Sequence, residues 1–247
     1  MAAQTSEGPR ASRVAGVDGC KSRWLCIGRD LHTGGIEARL FESAAQLADQ
    51  EPLPDVIGWD IPIGLADDGA GRSCDRAARS VLCAPRASSV FSAPIRAALA
   101  AASRAEASEI TARLCEGRRV AAQAFGIFAK VRQLDALFEA RPALQGRIRE
   151  VHPEICFWAW NGGVPMQHYK KTEAGEHERR NLVARHFGDG AFESVRRQLA
   201  PMRAPADDIL DAFAVLWTAE RIANGVARTL PEEPPRDSRG LRMEIVY

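Results

Sequence analysis

The feature that constrains the fold most is a series of short apolar segments within the first sixty residues, each bounded by turn residues. The strand-like segments are SRVAGVDG, WLCIGRD and GGIEARLFES, and the helix-like SAAQLADQ follows them. Their spacing and alternation predict three strands in a meander followed by a helix. After a break at EPLP, the segment DVIGWDIPIGL predicts a further buried strand. The chain therefore begins as an α/β protein.

The rest of the chain is mainly helical in pattern. Residues 67–145 are rich in Ala and Arg at helical spacing, which predicts a helical insertion. A short strand with Ile148 and Val151 follows, and the last long helix is predicted to begin after Pro205 and stop at Gly225. We expect residues 1–12, which are small and polar, to form a disordered tail, and residues 13–247 to form a single domain.

Composition excludes some classes of function. The 247 residues carry a formal net charge of +1 and are 46% hydrophobic, which is ordinary for a globular protein without a strong bias towards polyanions. No stretch approaches the roughly 18 consecutive apolar residues of a membrane helix, and residues 1–12 lack the apolar centre of a signal peptide. We expect a cytoplasmic protein without a membrane partner. Its six cysteines form no C-x-x-C pair and are predicted to be reduced.

Acidic residues recur where strand-like segments end. Asp18 and Asp60 each close an apolar run, and Glu154 follows the short strand-like run that contains Ile148 and Val151. On the last helix, Asp208 and Asp211 are spaced so that both project from one face. An acid in a first turn also complements the helix dipole, so Asp207 has the alternative interpretation of a cap. That alternative does not explain Asp211, which lies further along the helix between apolar neighbours.

These carboxylates predict a metal site if their strands are neighbours and the last helix packs against them. Two like charges about 4 Å apart repel by roughly 1 to 4 kcal/mol, so a cluster of four needs a compensating cation. An all-carboxylate set suits Mg²⁺ or Mn²⁺, and two such ions can cleave a phosphodiester by activating water. The chain contains no G-x-S-x-G, H-E-x-x-H, G-x-x-x-x-G-K-[ST] or P-C-x-x-C motif that would supply another chemistry.

The order of these elements resembles the ribonuclease H-like fold, a mixed five-stranded sheet flanked by helices. Nine segments together resemble the domain-of-unknown-function 429 family, described as predicted ribonuclease H-like nucleases. They are GVDGCKSRW, WDIPIGL, CDRAAR, SSVFSAP, QAFGIFAKVRQLD, EVHPEICFWAWNGG, KKTEAGEHER, DDILDAFAVLWTAERI and GLRMEIVY. The resemblance implies a nuclease that acts on nucleic acid. It also implies that Asp18, Asp60 and Asp208 or Asp211 bind metal, with Glu154 beside them.

Candidate substrate contacts follow from the same segments. The predicted phosphate-binding or substrate-binding residues are Lys21, Ser88, Ser89, Lys130, Arg132, Lys170 and Lys171. Alternatively, Arg132 pairs with Asp135 on a helix surface. Lys170 and Lys171 are alternatively an exposed, solvated pair. His152 is either a proton shuttle or a structural histidine. The chain departs from the family pattern at Ala66 and Ala122, and the second departure puts one hydrogen bond to substrate in doubt.

Three functions remain open. The first is a metal-dependent nuclease, and the second is a catalytically silent nucleic-acid-binding module that keeps the same residues. The third is a phosphotransferase related to the sugar-kinase and actin superfamily, whose first phosphate loop also begins with Asp-Gly after a strand. The third requires a duplicated domain, and 247 residues without an internal repeat argue against it.

Overall fold

A mixed sheet of five strands organises residues 11–247, the part of the chain that the computed structural model describes. The strands are β1 (Arg13–Cys20), β2 (Arg23–Asp30), β3 (Ile36–Phe41), β4 (Val56–Trp59) and β5 (Ile148–Glu150), in the spatial order β3-β2-β1-β4-β5. The first three strands pair antiparallel, whereas β4 lies parallel to both β1 and β5. The predicted α/β sheet with ribonuclease H-like order and direction is confirmed.

Helices cover both faces of this sheet. They are α1 (Ala44–Ala48), α2 (Ser73–Leu82), α3 (Arg104–Leu114), α4 (Ala122–Gly126), α5 (Phe128–Ala140), α6 (Pro153–Trp160), α7 (Glu173–Phe187), α8 (Ala191–Gln198) and α9 (Ala206–Ala223). One core lies between the sheet and α6 to α9, and the other lies between the sheet and α1 with α5. Within residues 11–247, no helix combines the length and hydropathy needed to cross a membrane.

Strand β1 shows how the sequence separates these two cores. Ala15 and Val17 face α1 and α5, whereas Val14 belongs to the core on the α9 side. This alternation follows from the two-residue period of a strand that is buried on both faces. Residues 13–20 therefore read as a nearly continuous apolar run, in which a single carboxylate is conspicuous.

The predicted helical insertion proves to be the connection from β4 to β5. Its outer part contains α2, α3 and α4, joined by irregular segments. Helix α5 is different, because Val131, Leu134 and Leu137 are buried against the sheet. The predicted boundary 67–145 thus includes one crossover helix that belongs to the sheet core. A short ribbon of β6 (Thr229–Leu230) and β7 (Ile245–Val246) ends the chain beside β5.

The predicted tail lies outside the described residues except for its last two positions. Ser12 donates its backbone N–H to Asp55 Oδ2 at 2.8 Å, and its carbonyl accepts from the Leu31 amide at 2.8 Å. The ordered chain therefore starts no later than Ser12, one residue before the predicted domain boundary.

Gln133 on α5 fixes the crossover helix to the sheet. Its Oε1 accepts from Trp24 Nε1 at 2.7 Å and from the Ala44 amide at 2.9 Å. We expect Gln133→Met to lower the free energy of unfolding by about 1 to 3 kcal/mol, because it leaves two donors without a partner near a buried indole. Urea unfolding measures the loss. Gln145→Met, at a glutamine without a side-chain hydrogen bond in residues 11–247, is the control, and equal losses in both variants would contradict the assignment.

Candidate carboxylate site

Two adjacent parallel strands place Asp18 and Asp60 side by side. Val17 of β1 and Trp59 of β4 are paired in register, and the Asp60 amide donates to the Val17 carbonyl at 2.8 Å. The two aspartates occupy the next position on strands that lie about 4.8 Å apart. Because side chains alternate, both carboxylates project towards α9. Asp60 directly follows its strand, as predicted, but β1 continues through Cys20, so Asp18 lies within the strand and not at its end.

Helix α9 brings two further carboxylates to the same edge because glycines allow it to approach closely. Gly16 and Gly58 are paired in register and both face α9. A Cβ at Gly16 would lie 2.2 Å from the Leu216 amide nitrogen and 2.3 Å from the Ala212 carbonyl oxygen. The helix begins at Ala206, so its first turns hold the predicted Asp208 and Asp211 beside the sheet.

Burial and mutual repulsion show that these acids share one environment. Asp18 is 7% exposed, and its pKa is raised well above 3.8, first by burial and then by Asp60, Asp211 and Asp208. Burial likewise raises the pKa of Asp211 to about 6, although Lys170 opposes the shift. The pKa of Asp208 is also raised, chiefly by burial. The site therefore pays an electrostatic cost that a structural role alone does not explain.

Two lysines lie at this site, and both were predicted as substrate contacts. Lys170 Nζ donates to Asp211 Oδ2 at 2.5 Å. Lys130 Nζ donates to the Arg23 carbonyl at 2.5 Å and lies 4.1 Å from the centre of the Trp24 ring. Burial lowers the pKa of Lys130, although the nearby acids oppose that shift. The site thus combines at least four aspartates with two ammonium groups.

The donor set fits a hard divalent cation. Asp211 Oδ1 and Glu154 Oε2 are buried and have no hydrogen-bond partner among residues 11–247, so each retains a free acceptor. Asp18 Oδ1 accepts from the Gly19 amide at 2.7 Å. All of these atoms are carboxylate oxygens, the ligand atoms that Mg²⁺ and Mn²⁺ prefer.

The aspartates are nevertheless more widely spaced than a closed set of metal ligands. Within the described part of the chain, one group of three candidate ligand atoms lies within 4.8 Å of one another, and it consists of Cys74, Asp75 and Glu150. A guanidinium already occupies that group, because Arg72 Nη2 lies 2.5 Å from Glu150 Oε1. In the carboxylate site, the ammonium group of Lys170 pairs with Asp211.

Glu154 lies at the site, but a helix carries it and not the end of a strand as predicted. Strand β5 ends at Glu150, so Glu154 does not close a strand but lies in the first turn of α6. Its Oε1 accepts from Arg179 Nη2 at 2.5 Å. A cleft of about 620 Å³ runs beside it, and its walls include Asp60, Ser88, Ser89, His152, Lys170 and Asp211.

The other predicted contacts lie in different settings. Lys21 is exposed in the β1–β2 turn with a φ of 53°, and Lys171 is exposed after Lys170. The hydroxyls of Ser88 and Ser89 donate to the carbonyls of Pro85 and Arg86, both at 2.8 Å. These four residues remain predicted substrate contacts.

Arg132 supports the insertion. Its Nη1 donates to the Leu99 carbonyl at 2.8 Å. The alternative pairing of Arg132 with Asp135 does not form, because Asp135 accepts from Arg96 and Arg239. The alternative interpretation of Asp207 as a cap is also wrong, since Pro205 occupies the N-cap position and no side chain caps α9, although Asp207 does lie in the first turn.

Sequence reasoning missed Arg179, which is fully buried and fixes Glu154. The segment KKTEAGEHER was singled out for its two lysines, but its last arginine carried no separate signal in a charged helix. Cys20 also lies beside these acids. Burial and a hydrogen bond to Asp208 raise the pKa of its thiol to about 12. The thiol next to the site is therefore neutral near pH 7 and is not a nucleophile.

Lys170→Met tests the only ammonium that contacts a carboxylate in the described part of the site. Asp211 has a pKa of about 6 with Lys170 in place, and loss of the lysine raises it further. We therefore expect a loss of stability of about 1 to 3 kcal/mol above pH 6 in chelator, which shrinks as Asp211 becomes protonated towards pH 4. Thermal unfolding across this pH range measures it, with Lys171→Met as the control. A loss that does not vary with pH would contradict the pairing.

Comparison with known proteins supports the family resemblance for eight of the nine segments, since GLRMEIVY lies beyond the matched residues. No curated protein and no solved structure matches the chain. A family model described as "Protein of unknown function (DUF429)" matches residues 16–236, which include β1 from Gly16 onward, β2 to β5, all nine helices of the described region and every predicted site residue. The chain belongs to the domain-of-unknown-function 429 family.

Proposed function

We propose that this protein is a metal-dependent nuclease that hydrolyses phosphodiester bonds in nucleic acid. One observation carries the proposal: Asp18, Asp60, Asp208 and Asp211 are gathered at one edge of the sheet despite their mutual repulsion and the burial of Asp18 and Asp211. A glycine contact between β1 and α9 holds them there. An arrangement that disfavours its own ionisation is expected where a ligand supplies the missing positive charge.

The charge balance supports a cation as that ligand. Lys170 neutralises one of the four aspartates, and Lys130 donates to a backbone carbonyl. Asp18, Asp60 and Asp211, with Asp208, would hold Mg²⁺ or Mn²⁺. When bound, such ions lower the pKa of a water molecule and stabilise the leaving oxygen of a phosphodiester.

The chain's own residues have the remaining tasks. Lys130 and Lys170 flank the acids, where an ammonium group attracts and orients a phosphate. Ser88 and Ser89 offer hydroxyls at the wall of the cleft, and Arg179 keeps Glu154 oriented. The neighbouring thiol of Cys20 is neutral near pH 7 and is not the attacking group, so the side chains named here hold and position the substrate.

A second candidate, the silent nucleic-acid-binding module, is favoured by one observation. The Lys170–Asp211 pair takes up the charge of one proposed ligand, and no three of the aspartates bring ligand atoms within 4.8 Å among residues 11–247. In such a protein the lysine would act as the permanent counter-charge. Metal-dependent turnover distinguishes the two functions. The kinase-like alternative has no such support, because the described residues contain one five-stranded sheet without a duplicate.

The test is a cleavage assay on single-stranded, duplex, hybrid and branched nucleic acids with Mg²⁺, Mn²⁺ or chelator. The proteins are wild type, Asp60→Asn and the control Asp207→Asn, which removes a neighbouring acid outside the proposed ligand set. We expect cleavage that requires metal and Asp60 and tolerates the control change. Binding of nucleic acid without cleavage of any substrate would reject the nuclease and support the silent module. Consumption of ATP by wild type would reopen the kinase-like alternative.

A further inference from the structure

A second cavity, of about 410 Å³, lies in the helical insertion between α2, α3 and the loop before α3. Five arginines and two aromatic residues line its wall: Arg72, Arg76, Arg79, Arg118, Arg119, Phe91 and Phe128. The carboxylate mechanism uses none of these side chains. The cavity therefore needs an explanation of its own.

The arginines in this cavity are poorly compensated. Asp68 and Asp75 also line the cavity, but Asp75 lies 3.5 Å from Arg72. In the described part of the chain, the other four arginines have no carboxylate within 4.0 Å, as the ion pairs formed there show. Arg79 instead donates to the Val90 carbonyl at 2.9 Å and to Ser92 Oγ at 3.0 Å. Backbone contacts of this kind hold a guanidinium in place without neutralising it.

Arg72 forms the inner wall and retains an unused donor. The residue is 3% exposed, and its Nη2 is held by Glu150 Oε1 at 2.5 Å. Its Nη1 is buried and has no hydrogen-bond partner among residues 11–247. A buried donor without a partner costs free energy, so an acceptor oxygen at this position would be stabilising.

Phe91 connects this cavity with the carboxylate cleft. It lines both and is 44% exposed, which is unusual for a phenylalanine on a surface rich in arginine. An exposed aromatic ring beside guanidinium groups suits a nucleotide, because the ring stacks on a base while the guanidinium groups pair with phosphate oxygens.

We infer that this arginine-lined cavity binds a phosphate group of a nucleotide or of a polynucleotide strand. The inference goes beyond the proposed function, because it requires neither a metal nor cleavage. Arginine presents paired N–H donors that match phosphate oxygens, and several of them in one cavity give both affinity and orientation. A polynucleotide strand and a free nucleotide share this chemistry, and they differ in whether the occupant extends past Phe91 into the cleft.

The test compares wild type with Arg76→Gln/Arg119→Gln, which removes two exposed guanidinium groups of the cavity and leaves Arg72 in place. The control is Arg104→Gln/Arg113→Gln, which removes the same charge from exposed positions of α3 outside the cavity. Fluorescence anisotropy with a labelled oligothymidylate in chelator, over a series of salt concentrations, measures strand binding without cleavage. Calorimetric titration with AMP and with inorganic phosphate measures the second source.

If a strand is the ligand, we expect the cavity variant to bind the oligonucleotide about tenfold more weakly, with a slope of log affinity against log salt smaller by about 1.4. The control should match wild type. A loss confined to AMP or inorganic phosphate would assign the cavity to a free nucleotide. Equal binding of every probe by the cavity variant and wild type would overturn the inference. Because chelator is present throughout, none of these outcomes depends on a bound metal ion or on cleavage.

Discussion

Gly16→Ala is expected to lower the free energy of unfolding by about 3 kcal/mol or more, which is a large fraction of the roughly 5 to 15 kcal/mol of a typical domain. The new Cβ would lie 2.2 Å from the Leu216 amide nitrogen and 2.3 Å from the Ala212 carbonyl oxygen. Both are backbone atoms of α9, so no side-chain rotation relieves the clash. The helix must move away from β1, and Asp211 must move with it.

Urea unfolding with Gly28→Ala as the control measures this effect. Gly28 also lies within a strand, but a Cβ there meets its nearest atom, Glu37 Cγ, at 3.6 Å, an ordinary contact. The control should be as stable as wild type or slightly more stable, since alanine restricts the unfolded chain. If the free energy of unfolding of Gly16→Ala lies within about 1 kcal/mol of the wild-type value, the close contact between the sheet and α9 is contradicted.

Asp18→Asn is expected to have opposite effects on activity and on stability. Cleavage should fall by more than about 100-fold, because Asp18 is a proposed metal ligand and losing a ligand costs more than the 10-fold to 100-fold effect of altering a residue behind one. In chelator, however, the variant should unfold at a higher temperature than wild type near pH 7. The reason is that asparagine removes a buried acid whose pKa is raised by burial and by three neighbouring aspartates.

The pH dependence follows from the direction of that shift. A raised pKa in the folded state means that wild type gains stability as the pH falls through the folded-state pKa towards 3.8, where the unfolded chain also protonates. The asparagine variant has no such gain, so the difference between the two proteins should narrow at low pH. Thermal unfolding in chelator measures it. An asparagine variant that is less stable and fully active would show that Asp18 has a structural role.

The sequence predicted the sheet and α9 well, because strand and helix patterns are local features. Helix α9 was predicted between Pro205 and Gly225 and spans Ala206–Ala223. Asp18 and Asp60 were predicted to converge on condition that their strands are neighbours, and the register of β1 with β4 meets that condition. Local patterns are enough here because each strand carries its own apolar run and turn signals.

Long-range contacts explain what the sequence did not reveal. Periodicity identifies α5 as a helix, but it does not show that Leu134 packs on the sheet while α3 lies away from it. The pairing of Arg179 with Glu154 joins residues 25 positions apart, and both lie in charged or apolar segments without a distinctive pattern. The importance of Gly16 is equally invisible locally, because it depends on a helix that lies about 200 residues further along the chain.

The most direct test of the carboxylate site is the binding of Mn²⁺, measured by isothermal titration and by the loss of the free-ion electron paramagnetic resonance signal. Wild type and Asp207→Asn should bind the ion, whereas Asp18→Asn should bind it at least about 10-fold to 100-fold more weakly. Equal binding by wild type and Asp18→Asn, or no binding by wild type, would contradict the metal site.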